Sequence, residues 1–409
     1  MAKKGFNTTN LHSDRKDNPE HGVLHKPVHP SVAYGYDDAR HLAEVFQGKR
    51  QGYNYGRQLN PTVTALQNRI TQMEEGIATI AFSTGMAAIS STLLSLLKAG
   101  DHIVSSAFLF GNTNSFFGTL QRLGIEVTFV DATEARFVEN AIQKNTKLVF
   151  VETIANPVTQ IADLKAIGQL CQIKNLIYCV DNTMTSPCLF LPKSVGASLI
   201  VNSLTKYIGG HGNALGGAIT DTGLYDWSGF ENIYDTYRNE KPELWGITQV
   251  KKKGLRDIGA SLGPEAAHHL AAGSETLSLR IAKACDNALA LATYCQQNPK
   301  IKQVYYPGLA THPQHERAGQ LFKQYGAIFS IDLAEERDCF DFLNAMDSII
   351  SSSNLGDNRT LAIPVAHTIY YEMGPERRAS MGISDSMVRF SVGIEEIDDL
   401  LADFEKALA

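Results

Sequence analysis

The sequence predicts an α/β protein: a large domain on a mostly parallel sheet, followed by a smaller α+β domain. Three observations predict it. Between residues 78 and 201, short apolar runs alternate with segments of helical periodicity. Those runs are apolar throughout, as strands covered on both faces require. The 409 residues exceed what one core organises, so two domains plus an extension are expected. The divisions read as an N-terminal arm over 1–60, an α/β domain over 61–260 and an α+β domain over 261–409.

The arm is polar, with few periodic apolar positions. Yet it holds Tyr34, Tyr36, Tyr53 and Tyr55, too aromatic for a free tail. A segment that packs on something else, such as another subunit, is the economical reading. It ends in a glycine-flanked loop with Tyr55 and Arg57, and arginine suits bidentate phosphate binding. The plainer reading is a loop aromatic beside a solvated arginine.

Pro61 opens a helix marked by Val63, Leu66, Ile70 and Met73. A strand over 78–82 leads into Ser83, Thr84, Gly85 and Met86, then an apolar helix over 89–97. A strand, a small hydroxyl-glycine turn and a helix N-terminus together form an anion site. No Walker motif is present. Strands are expected at 102–105, 126–130, 148–151, 176–180 and 197–201. Helices are expected near 115–123, 135–143 and 164–171. In such sheets ligands bind beyond the carboxyl ends of the strands. Glu152, Asn156, Asp181, Asn182, Thr183, Ser203, Thr205 and Lys206 all fall there.

Residues 224–255 hold both tryptophans, Trp227 and Trp245, and lack periodicity. They read equally as a cover over the site or as an interface. Lys251, Lys252 and Lys253 read as a solvated face. Helices follow at 265–273 and 274–297. The last part shows strands at 303–306, 327–333, 348–351 and 388–392, a helix at 339–346, a polar loop over 353–361 and a final helix. Arg389 lies inside the last strand, where a charge needs an anionic partner: a substrate carboxylate or an internal ion pair.

Composition excludes several classes. Hydrophobic content of 44% and charged content of 20% are those of a globular protein. A formal charge of -6 with no long basic tract argues against nucleic-acid or membrane-surface partners. No apolar run approaches the ~18 residues that span a bilayer, and the start lacks the apolar core of a secretory signal. Six scattered cysteines suit reduced thiols and a cytoplasmic location. His268, His269 and His367 have no metal spacing, and no metal is expected.

The most informative stretch is 202–213. Ser203 and Thr205 flank Lys206 at the end of an apolar strand, just before a glycine-rich turn. Pyridoxal 5'-phosphate (PLP) needs an amine to attack its aldehyde, donors for its phosphate and a carboxylate for its pyridine nitrogen. Lys206, the hydroxyls and Asp181 answer those needs. Alone, each has a plainer reading: a surface lysine in a turn, and a turn-capping aspartate.

Taken in order, these motifs resemble the Cys/Met-metabolism family of PLP-dependent enzymes. That family includes cystathionine γ-synthase, cystathionine and methionine γ-lyases and the O-acylhomoserine sulfhydrylases. The resemblance runs from about residue 52 to 396. It implies the aspartate-aminotransferase-like fold (type I) and PLP on Lys206, which later moves protons. It implies Asp181 at the pyridine nitrogen and Asn156 near the phenolic oxygen. Ser83, Gly85, Met86, Ser203 and Thr205 would hold the phosphate, with Tyr55 and Arg57 reaching that of a neighbouring subunit. Arg389 would take the substrate α-carboxylate. A homotetramer, a dimer of dimers, is implied.

Three positions depart from the family pattern. Phe110 stands where a tyrosine is usual, so it can stack on the cofactor but cannot move a proton. Asn354 replaces a serine, and Arg359 replaces an acidic residue. Arg359 is either a partner for a distal carboxylate or a surface arginine. Phe110 resembles the O-succinylhomoserine sulfhydrylases and favours γ-replacement on an activated homoserine by a thiol or sulfide. The alternatives are γ-elimination, a PLP-binding homologue without turnover and, more weakly, an aminotransferase.

Overall fold

The computed structural model describes residues 4–14, 20–239, 241–334 and 337–409, so parts of the 1–60 arm lie outside the described residues. The apolar runs form β1 (Ala78–Phe82), β2 (His102–Ser106), β3 (Glu126–Val130), β4 (Thr146–Glu152), β5 (Ile177–Asp181) and β6 (Leu199–Asn202). With β7 (Gly217–Asp221) they make a 7-stranded sheet in the order β1-β7-β6-β5-β4-β2-β3. β7 runs antiparallel to both neighbours, and every other pair is parallel. Side chains alternate between two cores. On β5, Tyr178 and Val180 pack with residues of helices Pro61–Met73 and Leu164–Lys174, while Ile177 and Cys179 join those of Gly85–Leu96 and Gly111–Arg122. Both faces are therefore covered, as a parallel sheet requires.

The strand β7 was not expected. It is five residues long, begins at a glycine and ends in Asp221, so it carries little apolar signal. Asp221 is fully buried, accepting from Trp227 Nε1–H at 3.0 Å and the Gly223 N–H at 2.8 Å.

A second, 5-stranded sheet comprises β8 (Ile301–Tyr305), β9 (Ile328–Leu333), β10 (Ile350–Ser351), β11 (Leu361–Pro364) and β12 (Met387–Ser391). β11 was not expected: the polar loop over 353–361 overlaps only its first residue, Leu361. It pairs antiparallel with β12, setting Ile363 opposite Arg389. The helix Leu277–Gln297 joins the two regions. Its first half packs with the core of the large sheet and its second half with that of the small one.

Two expectations are corrected. The aromatic segment does not cover the strand-end site: Tyr225, Trp227, Phe230 and Tyr237 are buried in the core, while Tyr234 stays exposed. Trp227 is wholly buried, with Tyr225 and Phe230 edge-on at 4.8 and 5.6 Å. Helix Trp245–Gln249 packs directly on its indole: a Cβ on Gly246 would lie 2.2 Å from Trp227 Cε2. Lys251, Lys252 and Lys253 are half-buried on a π-helical turn, Val250–Asp257, rather than forming a solvated face.

The described part of the arm is ordered, as its aromatic content predicts, and part of it packs on its own chain's body. It holds helices Phe6–Leu11 and Ala39–Phe46. The first is pinned to the body by Asn10 Nδ2–H donating to the Ser274 carbonyl at 2.6 Å. Buried Arg69 meets Asp14 and Glu275, each at 3.2 Å. The second buries none of its residues and leaves Phe46 largely exposed. No helix among the described residues is long and apolar enough to cross a membrane.

Candidate active site

Parallel strands deliver their carboxyl ends to one edge, and the polar strand-end residues meet there. β4 ends in Glu152 and β5 in Asp181, which are register partners. The turn after β6 carries Ser203, Thr205 and Lys206. A cavity of about 490 Å³ opens at this edge. It is lined by Gly85, Met86, Phe110, Asn156, Asp181, Ser203, Thr205, Lys206, Asn354 and Arg389, all expected from the sequence.

One end of the cavity is built for an anion. Thr84 caps helix Gly85–Leu96, its hydroxyl accepting from the Ala87 N–H at 2.9 Å. The Gly85 and Met86 N–H groups, in the first turn, have no intrahelical acceptor. Ser203 and Thr205 bring hydroxyls alongside. The Ser203 N–H donates to Thr183 Oγ1 at 2.8 Å, and the Gly216 N–H to Thr205 Oγ1 at 2.9 Å, which fixes the turn. This end tolerates no extra atoms. A Cβ on Gly217 would lie 2.0 Å from the Thr84 carbonyl oxygen and 2.7 Å from Gly85 Cα. We therefore expect Gly217→Ala to displace the helix start. Thermal denaturation should show a loss of about 1–3 kcal/mol, with weaker phosphate-dependent cofactor binding by titration; an unchanged affinity would contradict it.

At the centre, Lys206 Nζ–H donates to Asn354 Oδ1 at 2.7 Å. Burial, followed by the nearby Arg389 charge, lowers the Lys206 amine to about 8. The neutral nucleophile is thus accessible near physiological pH. Cofactor loading of the apoenzyme should accelerate as pH rises through about 8, measured by stopped-flow absorbance; a rate flat between pH 6 and 9 would contradict it.

The two carboxyls are not equivalent. Asp181 Oδ1 accepts the Thr183 N–H at 2.9 Å; burial raises it to about 6 and those Thr183 bonds hold it down. Glu152 Oε1 accepts the Phe110 N–H at 2.7 Å, yet burial, then the Asp181 charge, pushes it well above the carboxylate range. At neutral pH the pair holds its negative charge on Asp181.

Two further groups lack partners. Asn156 is buried with neither side-chain amide atom hydrogen-bonded. Arg389 is 1% exposed. Its Nη2–H groups donate to the Ser353 and Asn354 carbonyls at 3.3 and 2.9 Å, while its Nε is unpartnered and no carboxylate among the described residues pairs with it. A buried guanidinium without an anion is costly, and the cavity is where an anion would enter.

Four expected residues lie outside the cavity lining. Ser83 sits behind it, donating its N–H to the Ala260 carbonyl at 2.9 Å, and Thr84 lines instead. Arg359 is exposed and pairs with Asp357 at 3.0 Å. Tyr55 and Arg57 stack on each other at 5.3 Å, away from the cavity, with Arg57 donating to the Arg256 carbonyl. Thr84, Asn112, Thr113 and Ser353 line the site without having been singled out as site residues, and Glu152 and Thr183 were noted only as strand-end polar residues. The strand-end rule reaches Glu152 and Thr183. Capping preference does not reach Thr84, because Ser83 before it is at least as good an N-cap residue; the helix start at Gly85 decides between them.

The residues fit PLP on the structure's own terms. A helix-start cradle suits its phosphate, Asp181 its pyridinium, the unpartnered Asn156 amide its phenolic oxygen and Lys206 its aldehyde carbon. Such a lysine at the strand ends of a largely parallel sheet, beside a second smaller sheet, defines a PLP-dependent enzyme of the type I fold. The chain belongs to the Cys/Met metabolism PLP-dependent enzyme family, whose model matches residues 7–409. It is 38% identical to the L-methionine gamma-lyase of Fusobacterium nucleatum subsp. polymorphum, over 99% of this chain and 98% of that one. It is equally 38% identical to O-acetyl-L-homoserine sulfhydrylase 1 of Thermus thermophilus, over 99% and 100%. Among solved structures it superposes on a putative O-acetylhomoserine (thiol)-lyase from Campylobacter jejuni, which contains N'-pyridoxyl-lysine-5'-monophosphate. The TM-score is 0.93 at 30% identity, covering 99% of this chain and 100% of that one.

Proposed function

We propose that this enzyme replaces the γ-acyloxy group of an O-acyl-L-homoserine with the sulfur of a thiol or sulfide, releasing a carboxylate. The observation that supports this reading is the cavity lining: among the described residues of one chain it holds no phenol, thiol or imidazole, Phe110 lines it, and its proton donors are Lys206 and the neutral Glu152 carboxyl, which is tied to the Phe110 N–H. A carboxylate leaves as a weak base and needs no proton. A thiolate leaving from methionine or cystathionine is more basic and gains from a general acid, an effect of about 10²–10⁴.

Bound at Lys206, PLP would supply an electron sink that acidifies the substrate α-proton. Arg389 binds the α-carboxylate, and Asn354 orients the Lys206 amine. Lys206 then moves the proton between the α and β carbons. Asp181, ionised above about 6, keeps the ring nitrogen protonated. Thr84, Gly85, Met86, Ser203 and Thr205 hold the phosphate. Tyr55 and Arg57, exposed on one chain, serve the phosphate of a partner chain, which makes a dimer the smallest active unit. Arg389 and Lys206 are the cations of the lining, both already engaged, and Arg359 is neutralised by Asp357. That favours an uncharged acyl group, so O-acetyl-L-homoserine is the preferred donor.

A second reading, γ-elimination, is supported by the equal identity to an L-methionine gamma-lyase. Incubation with O-acetyl-L-homoserine, O-succinyl-L-homoserine, L-methionine or L-cystathionine, with and without sulfide, separates the two. We expect sulfide-dependent homocysteine from the acetyl ester at a kcat/KM at least about tenfold above any other substrate. Faster 2-oxobutanoate formation from methionine without sulfide would overturn the proposal. In addition, Phe110→Tyr, which adds a proton donor to the lining, should raise 2-oxobutanoate formation from methionine by about tenfold or more; no rise would contradict the leaving-group argument.

A further inference from the structure

Directly behind the cavity lies a sealed polar cluster that the reaction as described does not use. Glu74, Asn182, Asn202, Thr153 and Thr185 are each fully buried. Glu74 follows helix Pro61–Met73 as its C-cap. Asn182 comes immediately after Asp181, and Asn202 immediately before Ser203. Glu74 Oε1 accepts N–H groups from both asparagines, at 3.0 Å from Asn182 and 2.6 Å from Asn202. Asn182 is fixed further: its Nδ2–H also donates to the Phe190 carbonyl at 3.1 Å, and its Oδ1 accepts from Thr185 Oγ1–H at 2.5 Å.

Two buried atoms of this cluster have no partner, Glu74 Oε2 and Asn202 Oδ1. They belong to a carboxyl and an amide already joined through their other two atoms. Both are acceptors when Glu74 is ionised, and one proton on Oε2 supplies the missing donor. An ionised Glu74 would also be a buried charge with no cation paired to it among the described residues. Burial raises its pKa to about 7, in the same direction.

We infer that Glu74 is a positioning residue that works as a neutral acid: Oε2–H donates to Asn202 Oδ1, Oε1 accepts from both amides, and the ends of β5 and β6 are locked together. Asp181 leaves one locked strand and the Lys206 turn leaves the other. The backbone pairing of the two strands sets their spacing, Asn182 N–H donating to the Val201 carbonyl at 2.9 Å, and a side chain that touches neither Asp181 nor Lys206 braces the ends beyond it. The inference rests on the roles assigned to Asp181 and Lys206 only for its consequence; the protonation of Glu74 stands apart from them.

The test has two parts. Infrared spectroscopy of the protein with isotope-labelled glutamate should show, beside the band of the neutral Glu152, a second buried protonated-carboxyl C=O stretch at slightly acid pH, lost in Glu74→Gln. Its absence from the unsubstituted protein would overturn the inference whatever the enzyme's substrate. Glutamine offers an N–H where the acid offers O–H. Glu74→Gln should therefore keep the melting temperature, the cofactor affinity and the pH midpoint of the lysine-bound cofactor's absorption band. Glu74→Leu, similar in volume, should shift that midpoint and weaken cofactor binding about tenfold or more. A glutamine variant impaired in the same readouts as a leucine variant, or failing to fold, would show that an anion is required and overturn the inference. A folded leucine variant with unchanged midpoint and affinity would show a merely structural role.

Discussion

Lys206→Ala is expected to abolish lysine-linked cofactor absorbance near ~420 nm and to reduce turnover by about 10⁴-fold or more, about 5.5 kcal/mol. Lys206 is the one lysine among the described residues that lines the cavity, and Lys251 and Lys252, whose amines burial also lowers, sit on the turn Val250–Asp257 outside that lining. Its amine is lowered to about 8 by burial and by Arg389, so it is the amine prepared to act as nucleophile and base. The turn that presents it depends little on the side chain itself. The Lys206 N–H donates to the Ser203 carbonyl, and Arg280 donates to the Tyr207 and Ile208 carbonyls at 2.8 and 3.1 Å. Circular dichroism and melting temperature should therefore change little. A variant that retained the absorbance band would contradict the assignment.

Asp181→Asn is expected to be nearly as damaging, by about 10²–10³ in kcat/KM, the 3–4 kcal/mol typical of removing one member of a buried charge pair. The side chain keeps its shape but loses the charge that holds a pyridinium proton. Glu152→Gln, at the register partner of Asp181 on the adjacent strand, should cost far less, because Glu152 is already neutral beside Asp181. Comparable losses in the two variants would contradict that division. The linkage has a definite sign. Asp181 has a folded value raised from 3.8 to about 6, so the apoenzyme loses stability as pH rises between them. A cofactor cation that answers the carboxylate removes that loss, so stabilisation by PLP should grow with pH across the same window.

Much of this was legible in the sequence because it rests on pattern. Parallel strands buried on both faces must be apolar throughout, and their carboxyl ends must carry whatever chemistry there is. Asp181, Lys206 and Asn156 announced themselves in that way, and Arg389 did so as a charge within an apolar strand. What stayed hidden depended on contacts between distant segments. β7 is recognisable only through its pairing with β1 and β6, and Asp221 at its end reads as a loop residue until Trp227 covers it. The 224–255 aromatics lack a period because they fill one core from several short turns rather than one helix face. Thr84 displaced Ser83 from the lining because the residue at the helix cap, not the one before it, faces the strand ends. Glu74 carried no local signal at all; its meaning comes from two asparagines 108 and 128 residues away. Tyr55 and Arg57 lie apart from the cavity lining of their own chain, so the role proposed for them needs a second chain.

The central claim is that Lys206 carries the cofactor and that its site is the active site. Borohydride reduction of the PLP-loaded enzyme, proteolysis and mass spectrometry test it most directly. The account predicts a single pyridoxyl-modified peptide containing Lys206, formed in proportion to lost activity. Modification of a different lysine, or full reduction with Lys206 unmodified, would contradict it.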